Sequence, residues 1–148
     1  MEQMNRKIVT GFIVAVMAQS ANAQVYCDES PAGIKKRFNA ADVVVIAHVK
    51  STKTISMVED DVGRKVPTEL SQIEVKQTFK GKSSERMDVH AFALISEHPS
   101  LIEGVSYLFF LPNSGELTNC NNIIMSKTKE TRALLMEIRN FSQSRREK

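Results

Sequence analysis

The apolar positions of this chain fall into three patterns, and each predicts a different element. Val43-Val44-Val45-Ile46-Ala47 is an unbroken apolar run dominated by β-branched residues, which reads as a strand buried on both faces. It passes through His48, Val49 and Lys50 into polar sequence, so the strand is expected to leave the core there. Between Thr68 and Phe79 the period is two. Ile73, Val75 and Phe79 take one face, and Gln72, Glu74, Lys76 and Thr78 the other. Arg86 to Phe92 alternates again, with Met87, Val89 and Ala91 opposite Asp88, His90 and Phe92. Val105 to Leu111 is a fourth strand carrying Tyr107, Phe109 and Phe110, and Glu116 to Asn119 is a short fifth one ending at Cys120. The pattern then changes. Leu134, Ile138 and Phe141 recur at i, i+4 and i+7 with Leu135 beside them, which predicts an amphipathic helix.

Turn chemistry separates these segments. Ser30-Pro31 is an N-cap followed by a proline at the first helical position, and Ile34 and Phe38 form the buried side of a short helix that Asn39-Ala40-Ala41-Asp42 ends. Glu59-Asp60-Asp61-Val62-Gly63-Arg64 and Pro112-Asn113-Ser114-Gly115 read as hairpin turns, and Lys80 to Ser84 as a further turn. Residues 93–104 are irregular, with Pro99 and Gly104. The expectation is an all-β fold with a C-terminal helix: strands near 42–57, 66–79, 86–92, 105–111 and 116–120 in a partly open five-stranded Greek-key barrel, and a helix near 127–142. The tail from Ser144 to Lys148 is expected to fray. Val43, Val45, Ile73, Val75, Phe79, Val89 and Phe109 should form the core.

The N-terminal segment stands apart. Arg6 and Lys7 precede the apolar stretch Ile8–Ala18, and Ala21-Asn22-Ala23 has small residues where a signal peptidase reads them. The apolar stretch is well short of the roughly 20 residues a spanning helix needs. Residues 1–23 are therefore expected to be a cleaved signal peptide. Residues 24–148 remain as one domain, without a membrane span and without a cysteine placed for a lipid anchor. The destination is secreted or periplasmic.

Composition narrows the chemistry. The 148 residues carry a net charge of +3, too near neutral for a polycationic nucleic-acid binder, and there is no Trp for a stacking site. The basic residues Lys76, Lys80, Lys82 and Arg86 have only Phe79 near them, so no nucleic-acid partner is expected. Both cysteines, Cys27 and Cys120, lie in the mature chain. In an oxidising compartment such an isolated pair is most simply one disulfide. A metal site is the alternative, but there is no C-x-x-C and no nearby His pair. His48, His90 and His98 have no spacing that asks them to converge. Ser83-Ser84 lacks a G-x-S-x-G context, and Asp60-Asp61 lacks a calcium-loop pattern. No cofactor, metal or catalytic residue is assigned.

Several of these segments, in order, resemble one family. Phe38-Asn39-Ala40-Ala41-Asp42-Val43-Val44-Val45-Ile46-Ala47-His48-Val49 is similar to the helix-to-strand passage of the tissue inhibitors of metalloproteinases and the wider netrin-like group. Ile73 to Gly81 resembles their second strand with its "F-K-G" turn, and Gly104 to Phe109 their "G-x-x-Y-L" fourth strand. Asn119-Cys120 falls where they place a cysteine after the fifth strand. The resemblance covers most of residues 27–124 and implies an oligosaccharide/oligonucleotide-binding (OB)-type barrel. It also implies a Cys27–Cys120 disulfide. The inhibitors of that family act through a mature N-terminal C-x-C whose first cysteine binds the protease zinc. Here Val25-Tyr26-Cys27 stands at that place, with Gln24 ahead of it and valine where the first cysteine belongs.

The expected function is that of a non-enzymatic protein-binding module, with Gln24, Val25 and Tyr26 as the candidate binding segment and another protein as partner. The runner-up is a metalloprotease inhibitor acting through that N-terminal segment. A third reading is an enzyme whose site residues are scattered along the chain.

Overall fold

The computed structural model describes residues 27–59, 62–92, 101–118 and 120–147. The expected signal peptide (residues 1–23), Gln24, Val25 and Tyr26, Asp60-Asp61 and His98 lie outside them. The element order is α1 (Pro31–Ala40), β1 (Val43–Glu59), β2 (Lys65–Lys80), β3 (Arg86–Phe92), β4 (Ser106–Leu111), β5 (Glu116–Leu117), β6 (Asn122–Ile124) and α2 (Lys129–Arg146). The strands form one curled sheet, a half-barrel, in the order β5-β3-β2-β1-β4-β6.

The first helix forms as its sequence predicts. Ser30 is the N-cap, its hydroxyl accepts from the Gly33 N–H, Pro31 opens the helix, and Ile34 and Phe38 are buried. The strand boundaries also match the alternation closely, but the edges of the sheet do not. The expected fifth strand is only two residues long, and a sixth strand, unforeseen, comes after it. Nor is Pro112–Gly115 a β-hairpin turn. The chain does turn there, with Gly115 at φ 73°, but β5 pairs in parallel with β3 (His90↔Glu116, Ala91↔Leu117) and not with β4. The other edge of β4 is taken by β6, antiparallel, with Tyr107↔Ile124 and Phe109↔Asn122. The two outermost strands of the sheet are thus neighbours in sequence, and residues 118–121 alone carry the chain from one edge to the other.

Each sheet face has its own core. Val43, Val45, Ala47 and Val49 of β1 join Ile73, Val89, Tyr107, Phe109, Leu111 and Leu117 on the inner face. Val44 of β1 and Leu108 and Phe110 of β4 face the other way and pack with Ile34, Phe38 and Ile138 of the helices. This accounts for the unbroken apolar run in β1, whose odd and even residues serve different cores.

Phe79 and Val75 correct the expected core. Phe79 is buried, but with the helices and not beside Ile73. Relative to β1, β2 carries an extra residue between the pairs Ile46↔Gln77 and Ala47↔Val75, and another between Val44↔Lys80 and Val45↔Thr78. Extra residues of this kind break the two-residue alternation and turn later side chains to the opposite face. Val75 is only half-buried, at the margin of the inner core. Beyond Thr52, β1 leaves the core as its polar sequence predicts, and Ile55 and Met57 are exposed there. A bulge between Thr54 and Ser56 interrupts the pairing of this stretch with β2.

The terminal helix runs further than expected, to Arg146. Thr128 caps its start by accepting from the Thr131 N–H, and Arg145 and Arg146 lie where cations favour the negative end of the helix dipole. The tail expected to fray is therefore mostly the last helical turn.

Burial separates the core substitutions. Phe109→Ala, at a fully buried site, should cost about 3–5 kcal/mol. Val75→Ala should cost less, about 1–2 kcal/mol, because its side chain is only partly buried at the margin of the core. Denaturant midpoints of the two variants check the order, which should be unmistakable.

Candidate functional site

The best-anchored surface feature is the point where the N-terminal segment meets the strand edge. Cys27 and Cys120 are bonded, with Cα atoms 5.5 Å apart and a sequence separation of 93. The bond ties the chain ahead of α1 to the short segment joining β5 and β6. Arg37, on the α1 face toward this bond, reinforces the tie. Its Nη1 donates to the Cys120 carbonyl at 2.9 Å and its Nη2 to the Asp28 carbonyl, so one guanidinium holds backbone on both sides of the disulfide. The Arg37 charge centre also lies 5.5 Å from the Phe110 ring centroid, a cation–π distance. Partial burial pulls the Arg37 pKa down, while Glu29 and Asp28 favour its charged form.

Local sequence prepares this arrangement. Asp28 accepts from the Ser30 N–H at 2.9 Å, which curls the segment into α1. Hydrogen bonds from Ser30, first its hydroxyl and then its backbone, lower the Asp28 pKa, and Arg37 and Lys36 add to them. At Gly33 the helix comes so close to this segment that a Cβ would stand 2.4 Å from the Asp28 carbonyl oxygen. No side chain fits there, so glycine is what lets Cys27 and Asp28 lie flat on α1.

The expected binding segment, Gln24-Val25-Tyr26, immediately precedes this clamp and lies outside the described residues. The other candidates separate. Lys80 is a structural cation: its Nζ donates to the carbonyls of Phe38, Asn39 and Ala41 and so closes the C-terminal end of α1. Lys76 pairs with Glu74. No group of His, Cys, Asp and Glu among the described residues is placed to hold a metal. No described helix is long and apolar enough to cross a membrane.

One polar row was not visible in the sequence. Strand register sets His48 directly between Glu74 of β2 and Ser106 of β4. The His48 Nδ1 and Ser106 Oγ lie 3.2 Å apart. The three residues are far apart in sequence, and only the pairing register could have revealed them. A hydrolytic triad needs the carboxylate on the imidazole. Here both ion pairs of Glu74 run to lysines, to Lys76 and at 3.4 Å to Lys50. These contacts, led by that from Lys76, hold the Glu74 pKa down. The row is an ion-paired stripe on the sheet.

No protein-family model matches the chain, and no curated protein sequence matches it.

The clamp can be taken apart one contact at a time. Replacing both Cys27 and Cys120 by serine should cost about 4–5 kcal/mol by loop-closure entropy for a loop of 93 residues, read as a lowered denaturation midpoint. Arg37→Ala should cost about 1–3 kcal/mol, because it leaves the part-buried Cys120 carbonyl without its charged donor. Asp28, with its depressed pKa, contributes stability that is complete above the unfolded carboxyl value and is lost as pH falls through the folded one. Asp28→Asn should therefore flatten the acid limb of the stability–pH curve and remove that contribution near neutrality.

Proposed function

We propose that this chain is an exported, non-enzymatic protein-binding module of the netrin-like type, and that it presents its mature N-terminal segment, Gln24-Val25-Tyr26, to a protein partner. The observation that carries the reading is the clamp. The disulfide from Cys27 and the two bonds from Arg37 fix the residues immediately after that segment to the strand edge. A short peptide held at its base gives up less conformational entropy on binding than a free tail.

Sheet topology supports the OB-type part of the reading. Taken as two halves of one bent strand, β5 and β6 pair with β3 at one sheet edge and β4 at the other. Counted that way, the six-strand half-barrel is compatible with a five-stranded OB-type barrel. The Cys27–Cys120 disulfide and the n-region, apolar stretch and A-x-A site at the N-terminus support export. The metalloprotease-inhibitor reading keeps the same segment and differs in asking its free amine to reach a zinc ion.

The test uses the exported protein. N-terminal sequencing should give Gln24 as the first residue. A photo-crosslinking residue at position 26 should trap one discrete protein in the native extracytoplasmic fraction, and the yield should collapse in the Cys27→Ser/Cys120→Ser variant. A crosslinker at exposed Lys50 is the control. Equal capture from both positions, or capture that survives loss of the disulfide, contradicts the proposal. Stoichiometric inhibition of a zinc protease by the Gln24-initiated chain would favour the inhibitor reading.

A further inference from the structure

Two adjoining cavities open where the C-terminal turn of α2 crosses α1 and the end of β2. One, about 500 Å³, is lined by Asp42, Thr78, Lys80, Gly81, Arg145 and Arg146 among others. The second, about 380 Å³, is lined by Lys35, Phe38, Asn39, Phe141, Ser144 and Arg145. Arg145 borders both, so a single ligand could touch it from either side.

The charges here do not balance internally. Lys80 is committed to α1, with its ammonium bound to three main-chain carbonyls at the end of that helix. It thereby offsets the negative end of α1. The negative end of α2 amounts to about half an elementary charge. Against it stand two arginines, Arg145 and Arg146, with Lys35 across the second cavity. One carboxylate lines either cavity, Asp42; its Oδ2 accepts from the Asn113 N–H at 2.8 Å and its charge acts on Lys80, so a single negative group faces Lys80, Arg145, Arg146 and Lys35. The guanidinium groups of Arg145 and Arg146 have no ion-pair partner among the described residues. Lys80 registers the crowding: partial desolvation first, and then the charge of Arg145, lower its pKa, while Asp42 offsets part of this by favouring the charged form. An anion seated here would relieve repulsion that the fold itself leaves standing.

The second cavity adds an apolar wall. Phe141 is half-buried against Phe38, with ring centroids 5.7 Å apart, and one side of it borders the cavity. We infer that this double cleft is a binding site for a small phosphate monoester with an aromatic or alkyl body. The phosphate would lie between Arg145 and Arg146 near the Thr78 hydroxyl, and the body would lie against Phe141. Guanidinium groups suit this role because they meet phosphate oxygens through two parallel N–H donors. The site is on the helix side of the sheet, bordered by none of the residues that make the disulfide clamp, so it stands independently of the proposed protein-binding segment.

Phenyl phosphate titrated into the ¹⁵N-labelled exported protein is the test. Saturable shifts should appear at the Gly81, Ser142 and Arg145 amides and be absent at the Thr54 and Met57 amides. Inorganic phosphate, without the ring, and phenyl sulfate, with one charge fewer, should both bind more weakly. Arg145→Gln/Arg146→Gln should weaken phenyl phosphate roughly tenfold or more, the loss expected for charge-assisted hydrogen bonds. Lys50→Gln/Lys53→Gln, with the same change in net charge, should leave affinity unchanged. An unaltered unfolding transition in each variant shows that the fold is kept. The absence of saturable binding to the wild-type protein overturns the proposal. So does equal weakening by the two pairs of substitutions, or phenol binding as tightly as phenyl phosphate.

Discussion

The covalent tie between Cys27 and Cys120 is the constraint on which the N-terminal half of this structure depends. It joins the start of the described chain to the one segment that passes between the two edges of the sheet. Without it, α1 would be held only by its apolar face and by polar contacts at its ends. With it, the helix is fixed at its first turn by the disulfide and at its last by Lys80, which reaches from the end of β2 to the final carbonyls of α1. Arg37 lies between these two anchors and fastens backbone on both sides of the sulfur bridge. A domain of this size buries only about two thirds of its extended-chain surface. One cross-link closing most of its length is then a large share of a net stability that is usually about 5–15 kcal/mol.

The sheet supplies the rigid body to which that tie is made. β1 and β4 are its shared wall, apolar on both faces because one face lines the curled interior and the other receives the helices. The strands around them need to be apolar on one face only. Helix packing sits over the β2–β1–β4 region, where Phe79, Val44, Leu108 and Phe110 meet Ile34, Phe38 and Ile138. The polar end of β1 extends beyond this region as a two-stranded ribbon with β2. The proposed recognition sites lie at the margins of this body. The clamp ties the chain ahead of α1 to the strand edge, and the helix-side cleft is walled in part by Phe38 and Phe79 of the helix-side core.

Much of this was legible in the amino-acid pattern, and the illegible part has physical reasons. Long strands with clean alternation, such as Arg86–Phe92, appear where their period places them, because a buried face penalises any slip of register. The helix start at Ser30-Pro31 was equally plain, since both residues act through local backbone chemistry. Phe79 misled because an added residue in one strand leaves no mark on composition, yet it reverses the face of every side chain beyond it. β5 and β6 were unreadable as separate strands because two or three residues cannot show a period. Nothing in the sequence marks Arg37; only the folded chain brings Cys120 to it across 83 residues. The His48–Ser106 contact and the cleft at Arg145 were hidden for the same reason, being products of strand register and helix crossing.

The disulfide and Arg37 anchor the N-terminal segment, and the sheet, held by its own pairing and two cores, is expected to persist without them. Native-state hydrogen exchange on the oxidised protein and on the Cys27→Ser/Cys120→Ser variant tests this most directly. Amides of Ser30 and Gly33 to Arg37 should lose protection in the variant, together with the Asn121–Met125 stretch. Amides of Val45, Ala47 and Phe109, inside the sheet, should stay protected up to the variant's reduced global stability. Uniform loss of protection across both sets, or none in either, would contradict this division between anchor and sheet.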